Sequence, residues 1–219
     1  MSRRRFITLE GGEGVGKSTL LAGLENELGR LGQKIVCTRE PGGTAMAERL
    51  RSVLLSPQEI GDKSSPVAEA LIISAARRDH VENLIEPALS EGNWVICDRF
   101  VDSTRAYQGM ALSGEDFDAL AKIATNSVMP GLTLLLDAPP EELLERRKQR
   151  GAQLDRFERR PMSFHNDVRQ RFLKIAKSEA DRVVVLDALR TPEQLVAEAI
   201  LHLKKVGLLP EETNTGAVS

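Results

Sequence analysis

The residues best suited to chemistry lie near the start of the chain, in the run Gly11-Gly12-Glu13-Gly14-Val15-Gly16-Lys17-Ser18. It fits the pattern G-x-x-x-x-G-K-[ST], with an apolar segment before it and a helix-forming segment after it. Glycines let successive backbone N–H groups turn inward around a phosphate, and the following helix points its positive end at the same spot. Lys17 is placed to reach the β- and γ-phosphates as a point charge. Ser18 offers a hydroxyl to Mg²⁺, and Thr19 follows it in the same turn. The string implies binding of a nucleoside triphosphate but not its use, because unrelated functions share this loop. Glu13 is anomalous inside it: a carboxylate facing phosphates repels them, so it needs another task.

Three more strings follow in order: Thr38-Arg39-Glu40-Pro41-Gly42-Gly43-Thr44, then Asp98-Arg99-Phe100 with Ser103-Thr104 and Ala106-Tyr107-Gln108-Gly109, then Leu154-Asp155-Arg156-Phe157-Glu158. Neither the guanine-reading Asn-Lys-x-Asp string nor the Asp-x-x-Gly switch of GTPases occurs in the chain. A small chain with a phosphate loop and scattered arginines suits phosphoryl transfer, where positioning and charge neutralisation supply the catalysis.

The elements that must position these groups read as an alternation. Residues 6–9, 34–38, 93–97, 132–136 and 182–186 form apolar strand-like runs. Helical spacing marks 18–31 (Leu20, Leu21, Leu24, Leu28, Leu31), 45–55, 114–127, 141–150, 164–180 and 192–206. Residues 66–90 predict one long helix or two, broken near Pro87. Such alternation implies an α/β fold, a parallel five-stranded sheet with helices on both faces in three layers. With 219 residues and no internal repeat, a single domain is expected, with a mobile tail over 210–219. Composition, 41% apolar and 28% charged, is that of a soluble globular protein, and a net charge of -2 argues against general nucleic-acid binding. No apolar run approaches the roughly 18 residues that span a bilayer, and the run after Met-Ser-Arg-Arg-Arg is too short for a signal-peptide core. A cytoplasmic enzyme is the expectation.

Taken together, the T-R-E-P-G-G and D-R-F-x-x-S-T-x-A-Y-Q strings resemble the bacterial thymidylate kinases, P-loop nucleoside monophosphate kinases, over about residues 5–203. The resemblance implies transfer of the γ-phosphoryl group of ATP to dTMP, with Mg²⁺, in a homodimer. It implies that Asp98 orients Mg²⁺, that Arg99 and Arg51 grip the monophosphate, and that Glu40, Pro41 and Ser103 line the acceptor site. Glu13 would bond the sugar 3′-hydroxyl. Arg77 would read thymine O4, and Thr104 would face N3. Tyr107 would crowd C2′, and Gln108 would line the same pocket. Because Glu13 stands where some relatives carry arginine, the phosphate-stabilising arginine would come from a lid over about 148–160, with Arg150 and Arg156 as candidates; a solvated helix face is the alternative for that basic stretch. The family's stacking phenylalanine is Ile73 here, which covers a base by dispersion but gives up an aromatic stack worth about 0.5–1.5 kcal/mol.

Cys37 and Cys97 read as buried, reduced thiols, and His80, His165 and His202 as structural or surface residues. The dimer face implied by the resemblance would use the apolar stretches around Leu54 and residues 68–73. A kinase for another nucleotide and a non-enzymatic nucleotide switch are the competing readings; acceptor stimulation of ATP turnover separates them.

Overall fold

The computed structural model describes residues 5–56, 65–143 and 157–210. Five parallel strands, β1 (Phe6–Glu10), β2 (Ile35–Arg39), β3 (Trp94–Asp98), β4 (Leu132–Asp137) and β5 (Val183–Asp187), form one sheet in the order β2-β3-β1-β4-β5. The strands are apolar on both faces because both are covered. Ile7, Leu9, Trp94 and Ile96 pack with α1 (Lys17–Arg30) and α8 (Pro192–Lys205). Phe6, Val95 and Cys97 face the opposite way, against Ile85, Leu89 and Phe100.

Caps set several helix starts. Thr44 accepts from Ala47 N at α2 (Ala45–Leu55), and Ser113 accepts from Asp116 N at α6 (Gly114–Thr125). A full capping box, Thr191 with Gln194, opens α8. The expected break near Pro87 is replaced by a continuous helical path. α3 (Pro66–His80) passes through a π-turn, Val81–Ile85, into α4 (Glu86–Ser90), whose first turn holds Pro87. The wider turn absorbs the ring and the missing N–H that would otherwise break the helix.

Strand ends and the first and last helices lie within a residue of expectation, and two further helices differ by two residues. The helix expected to 127 stops at Thr125, because Asn126 and Ser127 turn left-handed (φ 51° and 58°). The helix expected over 164–180 is α7 (Met162–Ser178). A short helix with no clear sequence signal, α5 (Val101–Tyr107), follows β3. Of the expected 141–150 helix, residues 141–143 form a turn and the rest lies outside the described residues, as do most of the lid and the tail. Cys37 is half-buried rather than buried, since β2 is an edge strand. Among the described residues no helix is long and apolar enough to cross a membrane.

Candidate active site

In this strand order the chain steps from β1 to the edge strand β2, returns to β3 beside β1 and then crosses to β4 on the other side, so the C-terminal ends of β1 and β3 flank the crevice where open α/β sheets bind ligands. β1 delivers Glu10 and the glycine-rich loop, and β3 delivers Asp98 and Arg99. Gly11 must be glycine: its φ is 135°, and a Cβ there would lie 2.3 Å from the Leu136 carbonyl oxygen. Lys17 opens α1 and donates to the carbonyls of Gly11 and Gly12 at 3.2 and 2.9 Å. Burial, then the nearby Arg99 guanidinium, lowers its pKa. Ser18 and Thr19 are exposed at the mouth of the loop.

Arg99 is held in left-handed backbone (φ 71°), unusual for a branched-chain-free but bulky residue and a sign of a position fixed by its surroundings. Its N–H donates to the Leu9 carbonyl at 2.9 Å. Its guanidinium donates to the Gly11 carbonyl (3.0 Å), Ser103 Oγ (3.1 Å) and Glu13 Oε1 (2.7 Å), and it stacks over the Tyr107 ring at 5.3 Å. The Tyr107 hydroxyl also donates to Glu13 Oε1, at 3.0 Å. Burial tends to raise Glu13, but Arg99, Lys17 and these bonds outweigh it and lower its pKa to about 2. The carboxylate that looked repulsive in the sequence is thus neutralised from across the cleft, and Tyr107, buried beside it, is pushed up.

Three buried acids, Glu10, Glu69 and Asp102, were not singled out in the sequence. Glu10 is 1% exposed. Its Oε1 accepts from the N–H groups of Phe100 (2.8 Å) and Ser103 (3.2 Å), and its Oε2 accepts from Ser103 Oγ (2.6 Å). It therefore caps α5 from another strand. Burial, then the neighbouring Asp102 carboxylate, pushes it up to about 8. Asp102 in turn forms a two-pronged pair with Arg182 at 2.7 and 3.0 Å. The available signal was position: an acid ending a fully buried strand needs a partner.

On the far wall, Arg77 of α3 donates from Nε to Glu40 Oε2 (2.6 Å) and from Nη2 to Thr104 Oγ1 (3.0 Å), with its guanidinium over Phe100. Ile73, one turn earlier, lines the same cleft. Gln108 donates to Glu69 at 3.1 Å, and its buried Oε1 has no hydrogen-bond partner among the described residues. Arg51 of α2 donates to the Pro41 carbonyl at 3.0 Å. The loop from Glu13 to Thr19, Glu40, Pro41, Arg51, Ile73, Arg77, Asp98, Arg99, Ser103, Thr104, Tyr107 and Gln108 all border one open cleft of about 560 Å³. Arg150 and Arg156 lie outside the described residues.

The cleft has two ends, the glycine-rich loop with Lys17 and a pocket of arginine, hydroxyl and amide groups, joined by the Glu13–Arg99 contact. The thymidylate kinase family model matches residues 9–200. A thymidylate kinase of Magnetococcus marinus is 48% identical over 198 residues, covering 90% of this chain and 93% of the relative. One of Rhodopseudomonas palustris is 46% identical over 223 aligned positions, covering 99% and 95%. The crystal structure of thymidylate kinase from Ehrlichia chaffeensis matches with a TM-score of 0.71 at 32% identity, over 90% of this chain and 97% of that one. With the sequence strings, the strand order and the two-ended cleft in agreement, the chain belongs to the thymidylate kinase family.

Proposed function

We propose that this cleft moves the γ-phosphoryl group of ATP directly onto dTMP, giving dTDP and ADP. The observation that carries the reading is the contact between the two ends of the site: Glu13 of the phosphate loop is bonded to Arg99 and Tyr107 of the acceptor wall. A donor in the loop and an acceptor on Arg99 would therefore meet without a covalent enzyme intermediate, held in line.

In this reading Lys17 and the loop N–H groups hold the triphosphate. Arg99 and Arg51 hold the monophosphate, and Glu13 takes the sugar 3′-hydroxyl. Arg77 and Thr104 read the base, Tyr107 and Gln108 fill the sugar side, and Arg150 or Arg156 closes on the transferred group. An arginine donating to a carbonyl selects thymine, because an amino group at that position would leave its donors unpaired. The donor set fits Mg²⁺: Asp98 Oδ1 is buried with no hydrogen-bond partner among the described residues, and Ser18 stands exposed at the loop mouth. When bound there, the ion supplies neutralisation of phosphate charge.

We further assign the chain to a homodimer through α2 and α3, where Met46 and Leu71 are more than half exposed beside a buried Leu54. Two unpaired cysteines suit a reducing compartment, so the reaction is assigned to the cytoplasm.

The test is ADP release with ATP and Mg²⁺, comparing dTMP, dUMP, dCMP, dGMP and AMP as acceptors. Strong stimulation by dTMP, with dUMP well behind, is expected. ATP turnover that no acceptor stimulates would return the chain to the nucleotide-switch reading, and stimulation by another monophosphate would reassign the substrate.

A further inference from the structure

The base-reading wall is held from behind by a histidine that the proposed chemistry does not use. His80, the last residue of α3, is completely buried. Its Nδ1 lies 3.0 Å from Glu40 Oε1 and its Nε2 lies 2.8 Å from Thr38 Oγ1. Glu40 is the shared partner: one carboxylate oxygen faces His80, and the other accepts from Arg77 Nε at 2.6 Å. All three side chains of this set are at most 2% exposed. A chain of bonds thus runs from the second strand, Thr38–His80–Glu40–Arg77–Thr104, and ends at the cleft.

We propose that His80 is a positioning residue for base recognition, acting on Arg77 through Glu40. The inference rests on the assignment of Arg77 to the base.

Arg77 has five N–H donors. Glu40 and Thr104 occupy two of them and thereby fix the plane of the guanidinium, leaving Nη1 for the cleft. That plane is only as fixed as the carboxylate beneath it. Glu40 has two side-chain partners among the described residues, Arg77 and His80. Without a donor at Oε1, the carboxylate is free to turn about its last torsion, and a buried acceptor is left unsatisfied. The neighbouring Cys97 does not replace His80. Burial keeps its thiol far above the usual range, and the thiol points to the Arg99 carbonyl at 3.0 Å.

The backbone around His80 leaves it no alternative seat. Gly43 sits over the ring with φ 89°, and a Cβ there would fall 2.5 Å from His80 Nε2 and 2.6 Å from Thr38 Oγ1. The turn that carries Glu40 and Pro41 is therefore pressed against the same ring that orients Glu40. The contact ties the turn, and the Arg51–Pro41 bond on it, to α3.

Two substitutions separate a positioning role from a filling one. In His80→Asn the side-chain amide reaches the place of Nδ1 and can donate to Glu40. In His80→Gln it reaches the place of Nε2 and can bond only Thr38. Both are polar and of similar bulk, so folding alone does not distinguish them. Steady-state ADP release is measured for each with dTMP and dCMP as acceptors, together with KM for ATP. The expected result is a KM for dTMP within about threefold of the parent for His80→Asn. For His80→Gln we expect a rise of roughly tenfold or more, as for a lost bond to a charged group. The dTMP-over-dCMP preference should narrow in step, with KM for ATP unchanged in both. Equal effects of the two substitutions, parallel changes in the KM values for dTMP and ATP, or an unchanged base preference in His80→Gln would overturn the inference. If the parent chain itself shows no dTMP stimulation, the failure belongs to the substrate assignment instead.

Discussion

Replacing Glu10 by glutamine should remove a pH dependence of folding that the buried acid imposes. In the folded chain, burial and the Asp102 carboxylate raise Glu10 from its ordinary 4.5 to about 8. Below pH 4.5 the folded and unfolded chains both carry the proton, and this position adds no pH dependence. As pH rises from 4.5 towards 8, the unfolded chain releases the proton while the folded chain keeps it. The unfolded state therefore gains, and stability falls by about 1.4 kcal/mol per pH unit. Above about 8 both states are ionised and the loss is complete, with a ceiling of about 5 kcal/mol. In Glu10→Gln the amide oxygen still accepts from the Phe100 and Ser103 N–H groups, so the cap on α5 survives, but no proton is left to release. Asp102 keeps its Arg182 partner in both proteins, so its contribution largely cancels in the difference. The assay is urea unfolding of the substrate-free chain, followed by circular dichroism at pH 5, 6, 7 and 8 at fixed ionic strength. The parent should lose stability relative to the variant by several kcal/mol across that range. Curves that stay parallel would refute the reasoning and show that the three hydrogen bonds and Arg99 hold Glu10 ionised throughout.

Other perturbations probe separate parts of the molecule. Gly11→Ala forces a methyl group onto the Leu136 carbonyl at a φ of 135°; a loss of about 1–3 kcal/mol in stability is expected, with weakened ATP binding in a fluorescent-analogue titration. Asp102→Ala strands Arg182, and its thermal unfolding should show a cost near the low end of the roughly 3–5 kcal/mol of a broken buried pair, because Arg182 keeps Glu179. Ile73→Phe restores an aromatic face to the base pocket, and KM for dTMP should fall about two- to twelve-fold, the equivalent of a 0.5–1.5 kcal/mol stack; an unchanged KM would show that Ile73 does not face the base.

The phosphate loop and the parallel sheet were legible in the chain itself because both are local. A glycine pattern between an apolar run and a helix specifies one backbone turn, and strands buried on both faces read as unbroken apolar stretches. The strings from Thr38 to Thr44 and from Asp98 to Gly109 likewise named the residues that line the cleft. Local propensity did less well where neighbours decide. α5 has no side-chain cap of its own, and Glu10, about ninety positions away in the chain, accepts from the N–H groups of Phe100 and Ser103 at its start. The π-turn that accommodates Pro87 in a continuous helical path leaves no mark on periodicity.

Taken alone, the sequence picked out groups that the structure gathers at one cleft: the glycine-rich loop, Lys17, the Asp98-Arg99 pair, and Arg51 and Arg77 of α2 and α3. Tertiary structure decided how their charges are settled. Arg99 and Tyr107 meet Glu13 from another strand and helix and, with Lys17 of its own loop, settle its charge, while Glu40 and Thr104 from separate elements hold Arg77. The physical reason is that electrostatic energy in a buried site depends on distances of a few ångströms between groups dozens of residues apart, and those distances exist only after the sheet has closed around them.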